Sequence, residues 1–194
     1  MSRGNVRVRP AQQSDVAGLA KVCLDSGLGE QIGVRGRKCD LNTLLERYTS
    51  MLQDLDRLVF VAVEEEQNTV VGVLVLAEEQ LGLLQSTTVL QVSQLVVTPQ
   101  QRRRGVGRAL LTTAVRHAED CGVDHLLIGV PAAARDANRH LARLGFAPLV
   151  VRRIASVAVL RRSLGIVESV ERVALRRRRS VRGVLPGRAI RRGA

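Results

Sequence analysis

The chain has 194 residues, of which 45% are hydrophobic and only 2% aromatic, with a formal net charge of +12. That length fits one domain plus an extension, and with no Trp the core must be built from Val, Leu, Ile and Ala. No apolar run reaches the roughly 18 to 20 residues of a membrane span, and no metal-ligand or disulfide spacing is present.

The opening segment, MSRGNVRVRP, lacks the apolar stretch of a leader peptide. The cysteines Cys23, Cys39 and Cys121 are widely spaced and odd in number. Together these predict a reduced, cytoplasmic protein whose cysteines are small core residues or bystanders.

In chain order, NVRVRPA (5–11) alternates as a strand does. Ser14 is the expected cap of a helix carrying Val16, Leu19, Val22 and Cys23 on one face. The glycine-rich GLGEQIGVRGRKCD reads as a loop, and residues 41–54 place Leu44, Leu45, Tyr48 and Leu52 at helical spacing. Two β-rich runs, 57–65 and 69–79, flank a polar hairpin turn, and 87–97 is a further strand. A helix with Val106, Leu110, Ala114 and Ala118 on one face should stop at Gly122. A short buried strand (125–130), a helix (135–145) and a last strand (146–151) follow. This order predicts a mixed α/β, or α+β, domain in which antiparallel strands precede a crossover helix.

The stretch LVVTPQQRRRGVGRALL, Leu95 to Leu111, joins strand to helix through two glycines and four arginines. The first N–H groups of a helix lack intrahelical acceptors, and the helix dipole adds positive potential there. Gly105 and Gly107 bare the backbone, while Arg102, Arg103, Arg104 and Arg108 attract anions at longer range. A pyrophosphate-bearing ligand is the natural occupant. A P-loop would need Lys and Ser or Thr after its last glycine, where this chain has GRAL. A dinucleotide fingerprint would need a third glycine in an early βαβ unit.

The segment Arg102-Arg103-Arg104-Gly105-Val106-Gly107 resembles the signature of the GNAT superfamily of N-acetyltransferases, which reads Arg or Gln, two residues, Gly, one residue, then Gly or Ala. The resemblance runs from about residue 5 to 151. LVVTP matches the family's fourth strand, and LARLGFAPL (141–149) matches its closing helix-Gly-Phe-strand element. It implies a central, mostly antiparallel sheet splayed between strands four and five, with acetyl-CoA in the opening. Backbone groups of Leu95, Val96 and Val97 would pair with the pantetheine arm. N–H groups from Arg103 to Arg108 would hold the pyrophosphate, and an N–H near Val97 would face the thioester oxygen. The implied reaction is direct attack of an amine on the thioester, without a metal.

The usual proton-moving side chains depart from the family pattern. Leu141 stands where members often have a general-acid Tyr, and Gly129 and Gln91 where some have a basic Glu. Ala134 stands where an Asn often starts the last helix. His140, beside the vacant acid position, and Tyr48, the single tyrosine, are the candidate catalytic residues, with packing or surface roles as the plain alternative. A lysine amine titrates near 10.4 and an α-amine at roughly 7.7–8.0, so a site without an obvious base suits an α-amine. A water chain to Glu78, Glu79 or Asp40 would supply a base instead.

From Arg161 to Ala194 there are 11 Arg against Glu168 and Glu171. Residues 1–160 are thus the expected catalytic domain and 161–194 a basic extension, partly helical or disordered, with Val167, Val170 and Ala174 on one helical face. The extension could contact nucleic acid, an anionic membrane or an acidic protein surface. The tail lacks aromatics for base stacking, so nucleic-acid binding would be phosphate-driven and salt-sensitive. The sequence predicts an acetyl-CoA-dependent N-acetyltransferase. Its rival is a non-catalytic acetyl-CoA-binding regulatory module with a basic tail.

Overall fold

A computed structural model describes residues 5–27, 40–81, 87–131, 133–151 and 153–166. Residues 28–39 of the glycine-rich segment, Cys39 among them, and the helical face at Val167, Val170 and Ala174 lie outside them. The chain divides into two units, residues 1–145 and 146–194.

The first unit holds one open sheet in the order β1-β2-β3-β4-β5. Its strands are β1 (Val6–Pro10), β2 (Arg57–Glu64), β3 (Thr69–Leu81), β4 (Thr87–Val97) and β5 (Leu126–Ile128). The first four are antiparallel neighbours and β5 runs parallel to β4. Pro10, which has no N–H to donate, sits on the edge strand, where that loss is tolerated.

Helices α1 (Val16–Asp25) and α2 (Leu41–Gln53) precede β2, and α3 (Val106–Asp120) carries the chain from β4 to β5. Strand alternation separates two apolar clusters. Val59, Val61, Val73, Val75 and Val96 face Leu19 and Val22 of α1 and Leu44 and Tyr48 of α2. Ala62, Leu74, Leu76, Leu90 and Val92 face Val106, Leu110, Ala114 and Ala118 of α3, the stripe expected from its spacing. Burying each such Val or Leu is worth about 2 kcal/mol before chain entropy is charged against it.

Gly72 on β3 sets how closely α3 approaches. A Cβ there would lie 3.0 Å from Leu110 Cδ1 and 3.1 Å from Val106 Cγ1. The first turn of α3 therefore rests on bare backbone. Helix α3 closes at Gly122 (φ 67°), with the Val123 N–H donating to Ala118 O at 2.8 Å. Helix α4 (Arg135–Arg143) likewise ends before Gly145 (φ 96°).

Two local expectations are corrected. Ser14 is not the cap of α1: it lies in a 3-10 turn, Gln13–Asp15, and the side chain that closes this entry is Asp15, which accepts from the Gln12 N–H at 2.7 Å. Residues 146–151 are not a strand. They pair with no strand among the described residues, and Pro148 has no N–H to offer a ladder. In the second unit, residues 157–163 form a short helix, α5 (Val157–Ser163), capped by Ser156 Oγ accepting from the Val159 N–H at 3.2 Å. No helix among the described residues is long and apolar enough to cross a membrane.

Candidate functional site

Strand β4 is unusually shared out. Against β3 it pairs from Thr87 to Val97, but against β5 only at Leu90, Gln91 and Val92. Beyond Val92, no strand among the described residues pairs with β4 on the β5 side. The sheet opens there, and Leu95, Val96 and Val97 line the opening's β4 edge.

The parting coincides with a bulge. The register against β3 passes from Val75↔Gln94 to Leu76↔Val92, so Ser93 is the extra residue. Its hydroxyl donates to Val75 O at 3.2 Å. The bulge shifts the phase of the strand: Leu90 and Val92 face α3, whereas Gln94 turns toward α1 and α2. From there Val96 packs among the valines of the α1–α2 face, and Leu95 and Val97 pack toward α3.

After β4, Thr98 donates to Val71 O at 2.9 Å, and a single 3-10 turn, Pro99–Gln101, leads into the arginine run. Arg103 (φ 61°) and Gly105 (φ 90°) both take the left-handed conformation. Glycine adopts it freely; arginine does so at a cost. Among the described residues, the N–H groups of Arg103, Arg104, Gly105, Val106, Gly107 and Arg108 make no well-formed backbone hydrogen bond, and the first helical acceptor serves Ala109, which bonds Gly105 O at 2.9 Å. Donors so placed at the positive end of a 15-residue helix are able to accept an anion and form a candidate anion cradle.

The side chains of this loop have distinct places. Val106 is buried and anchors the helix start, and Gly107 lies over Val97, whose Cγ2 would be 3.9 Å from an added Cβ. Arg103, Arg104 and Arg108 are exposed beside the cradle. Arg102, also exposed, sends Nε back to Val97 O at 3.4 Å, tying the loop to the end of β4.

The two candidate catalytic residues lie in different settings. Tyr48 is 2% exposed within the α1–α2 cluster, and its hydroxyl accepts from Gln94 Nε2 at 2.7 Å. His140 is exposed on α4, next to the buried Leu141. Of the carboxylates considered as bases, Asp40 is occupied as the cap of α2. Hydrogen bonds from Thr43, its hydroxyl first and then its N–H at 2.7 Å, hold the Asp40 carboxyl below the ordinary value. Glu78 is exposed and Glu79 half-buried near the end of β3. Sequence reasoning missed Gln94 and the Ser93 bulge. The signal was QVSQ itself: two adjacent polar residues, Ser93 and Gln94, break the alternation of an otherwise apolar strand.

A sequence model described as "Acetyltransferase (GNAT) family" matches residues 35–146. The chain belongs to the GNAT acetyltransferase family. Solved structures repeat its fold at low sequence identity. A Bacillus halodurans protein, solved as a tetramutant, aligns with TM-score 0.68 and 20% identity, covering 78% of this chain and 99% of that one. An aminoglycoside 6'-N-acetyltransferase from Acinetobacter baumannii aligns with TM-score 0.61 and 14% identity, covering 79% and 99%. A ribosomal-protein-alanine N-acetyltransferase from Brucella melitensis biovar Abortus 2308 aligns with TM-score 0.61 and 15% identity, covering 78% and 99%. No curated protein matches. At these identities the structures establish the fold of this GNAT domain, and its acceptor must be argued from its own residues.

Proposed function

We propose that the chain transfers acetyl from acetyl-CoA to an amine by direct attack on the thioester. The observation that carries this reading is one continuous feature: the sheet opens after Val92, and the same strand leads into six unmatched N–H donors at the start of α3. An opening beside exposed strand edge suits an extended pantetheine arm, and the cradle suits its pyrophosphate. Leu95, Val96 and Val97 would pair with the arm, and Arg102, Arg103, Arg104, Gly105, Val106, Gly107 and Arg108 would form the anion side. A donor near Val97 would stabilise the developing oxyanion, an effect worth a few kcal/mol, on the order of 3, where such donors are preorganised.

The acceptor is proposed to be an α-amine or another weakly basic amine, which deprotonates in solution near neutral pH and asks little of a protein base. His140, exposed on α4, is the side chain to test for a proton role, whereas Tyr48 is buried with its hydroxyl bonded to Gln94. The free, exposed thiol of Cys121 fits a reduced, cytoplasmic setting. Residues 161–194 are proposed as a basic extension that draws acidic or nucleic-acid partners to the domain.

The test is CoA release from acetyl-CoA with α-amine peptides, lysine peptides and small amines, alongside calorimetric binding of CoA. Release with α-amines supports the reading. Release only with lysine peptides overturns the acceptor class. Binding without release to any amine makes the chain a non-catalytic acetyl-CoA module, the reading that the buried Leu141 at the usual acid position favours.

A further inference from the structure

The phase shift at Ser93 needs something to hold it. A bulge is one residue of slack, and a strand that slips by one residue exchanges its two faces. In β4 such a slip would carry Gln94 to the face of Leu90 and Val92 and would turn Leu95 toward α2. Both faces are apolar, so valine and leucine packing alone discriminates weakly between the two phases.

Gln94 supplies the discrimination. On the α1–α2 side its half-buried amide lies against Tyr48 and Cys23, which pack on the cluster of Val73, Val75 and Val96, and an amide left without a partner there would cost on the order of 1 kcal/mol. It is paired there: Nε2 donates to Tyr48 Oη at 2.7 Å and lies 3.8 Å from Cys23 Sγ. Tyr48 belongs to α2 and Cys23 to α1, so one side chain of β4 reaches both helices of that layer. In the slipped phase Gln94 would lose these contacts and Tyr48 Oη would lose this donor.

Position makes the pairing functional. Gln94 immediately precedes Leu95, Val96 and Val97, and the bulge it fixes immediately follows the last β4–β5 pair, Val92↔Ile128. From these relationships we infer that Gln94, held by Tyr48, is a positioning residue: it locks the phase of β4 after the bulge and so sets the opening that receives the acyl-pantetheine arm. Tyr48 then acts through Gln94 rather than on the substrate. The inference rests on the proposed acetyl-CoA site, and it assigns the α1–α2 layer a direct hold on that site's geometry.

The test uses the full chain and two ligands. CoA spans both the opening and the cradle, whereas adenosine 3',5'-bisphosphate engages the anion side alone. Calorimetry on wild type, Gln94→Leu, Tyr48→Phe and the double variant gives both affinities. Tyr48→Phe keeps the buried ring and removes only the acceptor oxygen, so it guards against a Gln94 variant that fails to fold. The expected result is a tenfold or greater loss of CoA affinity in each single variant, with bisphosphate affinity within twofold of wild type. The double variant should be no worse than the poorer single one, because both break the Gln94–Tyr48 hydrogen bond. Equal loss of both ligands, additive losses, or unchanged CoA affinity in Tyr48→Phe would overturn the positioning role. Wild type that binds neither ligand would instead overturn the proposed acetyl-CoA site itself.

Discussion

Arg9 grips Asp15 with both ends of its guanidinium, Nη1 to Oδ2 at 2.6 Å and Nη2 to Oδ1 at 2.9 Å. Asp15 is buried and also accepts from the Gln12 N–H, so this pair ties the edge strand β1 to the entry of α1. The Arg9 hydrogen bond, more than any other contact, holds the Asp15 carboxyl below its ordinary pKa. Its contribution is therefore fully present above the unfolded value, about 3.9, and is lost as pH falls through the lower folded value. Asp15→Asn should cost about 2 kcal/mol at neutral pH. Urea titrations should show the gap to wild type closing as the pH is lowered below about 4. A gap that stays constant with pH would mean that the charge of Asp15 contributes nothing.

Gly72 offers a test of how the cradle is supported. Val106 and Leu110 leave no room for a branched side chain above it. Gly72→Val should cost roughly 1–3 kcal/mol by overpacking. It should also weaken CoA binding, because the residue pushed away, Val106, is the first residue of α3 and part of the anion loop. Thermal unfolding and calorimetry on the same samples check the two effects. Lost stability with unchanged CoA affinity would show that the loop is held independently of the helix seat.

Two substitutions at the left-handed positions of the loop should differ in their effect on stability. Gly105 at φ 90° accepts a side chain only with strain, although space around it is open. Gly105→Ala should cost about 1 kcal/mol of stability and lower CoA affinity at least tenfold, since the turn aims the donors. Arg103 already sits at φ 61°. Arg103→Gly should leave stability unchanged or raise it by a few tenths of a kcal/mol, relief of backbone strain being offset by added freedom of the unfolded chain. Its loss of CoA affinity should be smaller and should fade as salt is raised, as expected for a screened charge. If both variants lose affinity alike at every salt concentration, the shape of the turn does not govern how tightly CoA is held.

The sequence carried the fold where two signals agreed. Helix α3 had both its apolar period, Val106 to Ala118, and a terminating glycine, Gly122, and the structure follows both. The turn into α3 was legible because Gly105, at φ 90°, takes a left-handed conformation that glycine adopts freely. Residues 146–151 read as a strand because apolar and β-branched residues crowd there. Such residues favour strands only where a partner strand is present, and partnership is not a local property. The Ser93 bulge was visible as a break in alternation, yet Tyr48 lies 46 positions away in sequence from Gln94, and no pattern within β4 points to it. Tyr48 drew attention as the lone tyrosine, whereas its burial beside Gln94 emerged only from packing.

The basic extension should behave as a separable electrostatic element. Residues 146–194 carry 13 Arg against two Glu, which accounts for nearly all of the net charge of +12. Deleting residues 167–194 removes nine of those arginines and both glutamates. The full chain should elute from heparin, or dissociate from single-stranded RNA, at clearly higher salt than the shortened chain, with a steeper dependence of log affinity on log salt. CoA affinity should be the same in both, because the proposed anion cradle lies within residues 103–108. If the shortened chain retains full polyanion binding, the arginine run before α3 is the responsible surface.

The pH dependence of acetyl transfer tells whether the protein or the amine supplies the base. Among the carboxylates considered, Asp40 is held ionised as a helix cap, and its lowered pKa makes it a poor proton acceptor near neutrality. If the amine deprotonates in solution, kcat/KM should rise tenfold per pH unit and level off at the amine's own pKa, about 8 for an α-amine. Replacing the acceptor with a more weakly basic amine should move that bend to lower pH by the difference in amine pKa. His140→Gln should leave the bend in place, since a base supplied by the protein would instead set one bend for every acceptor alike. A bend at one pH for all amines, abolished in His140→Gln, would instead make His140 the base.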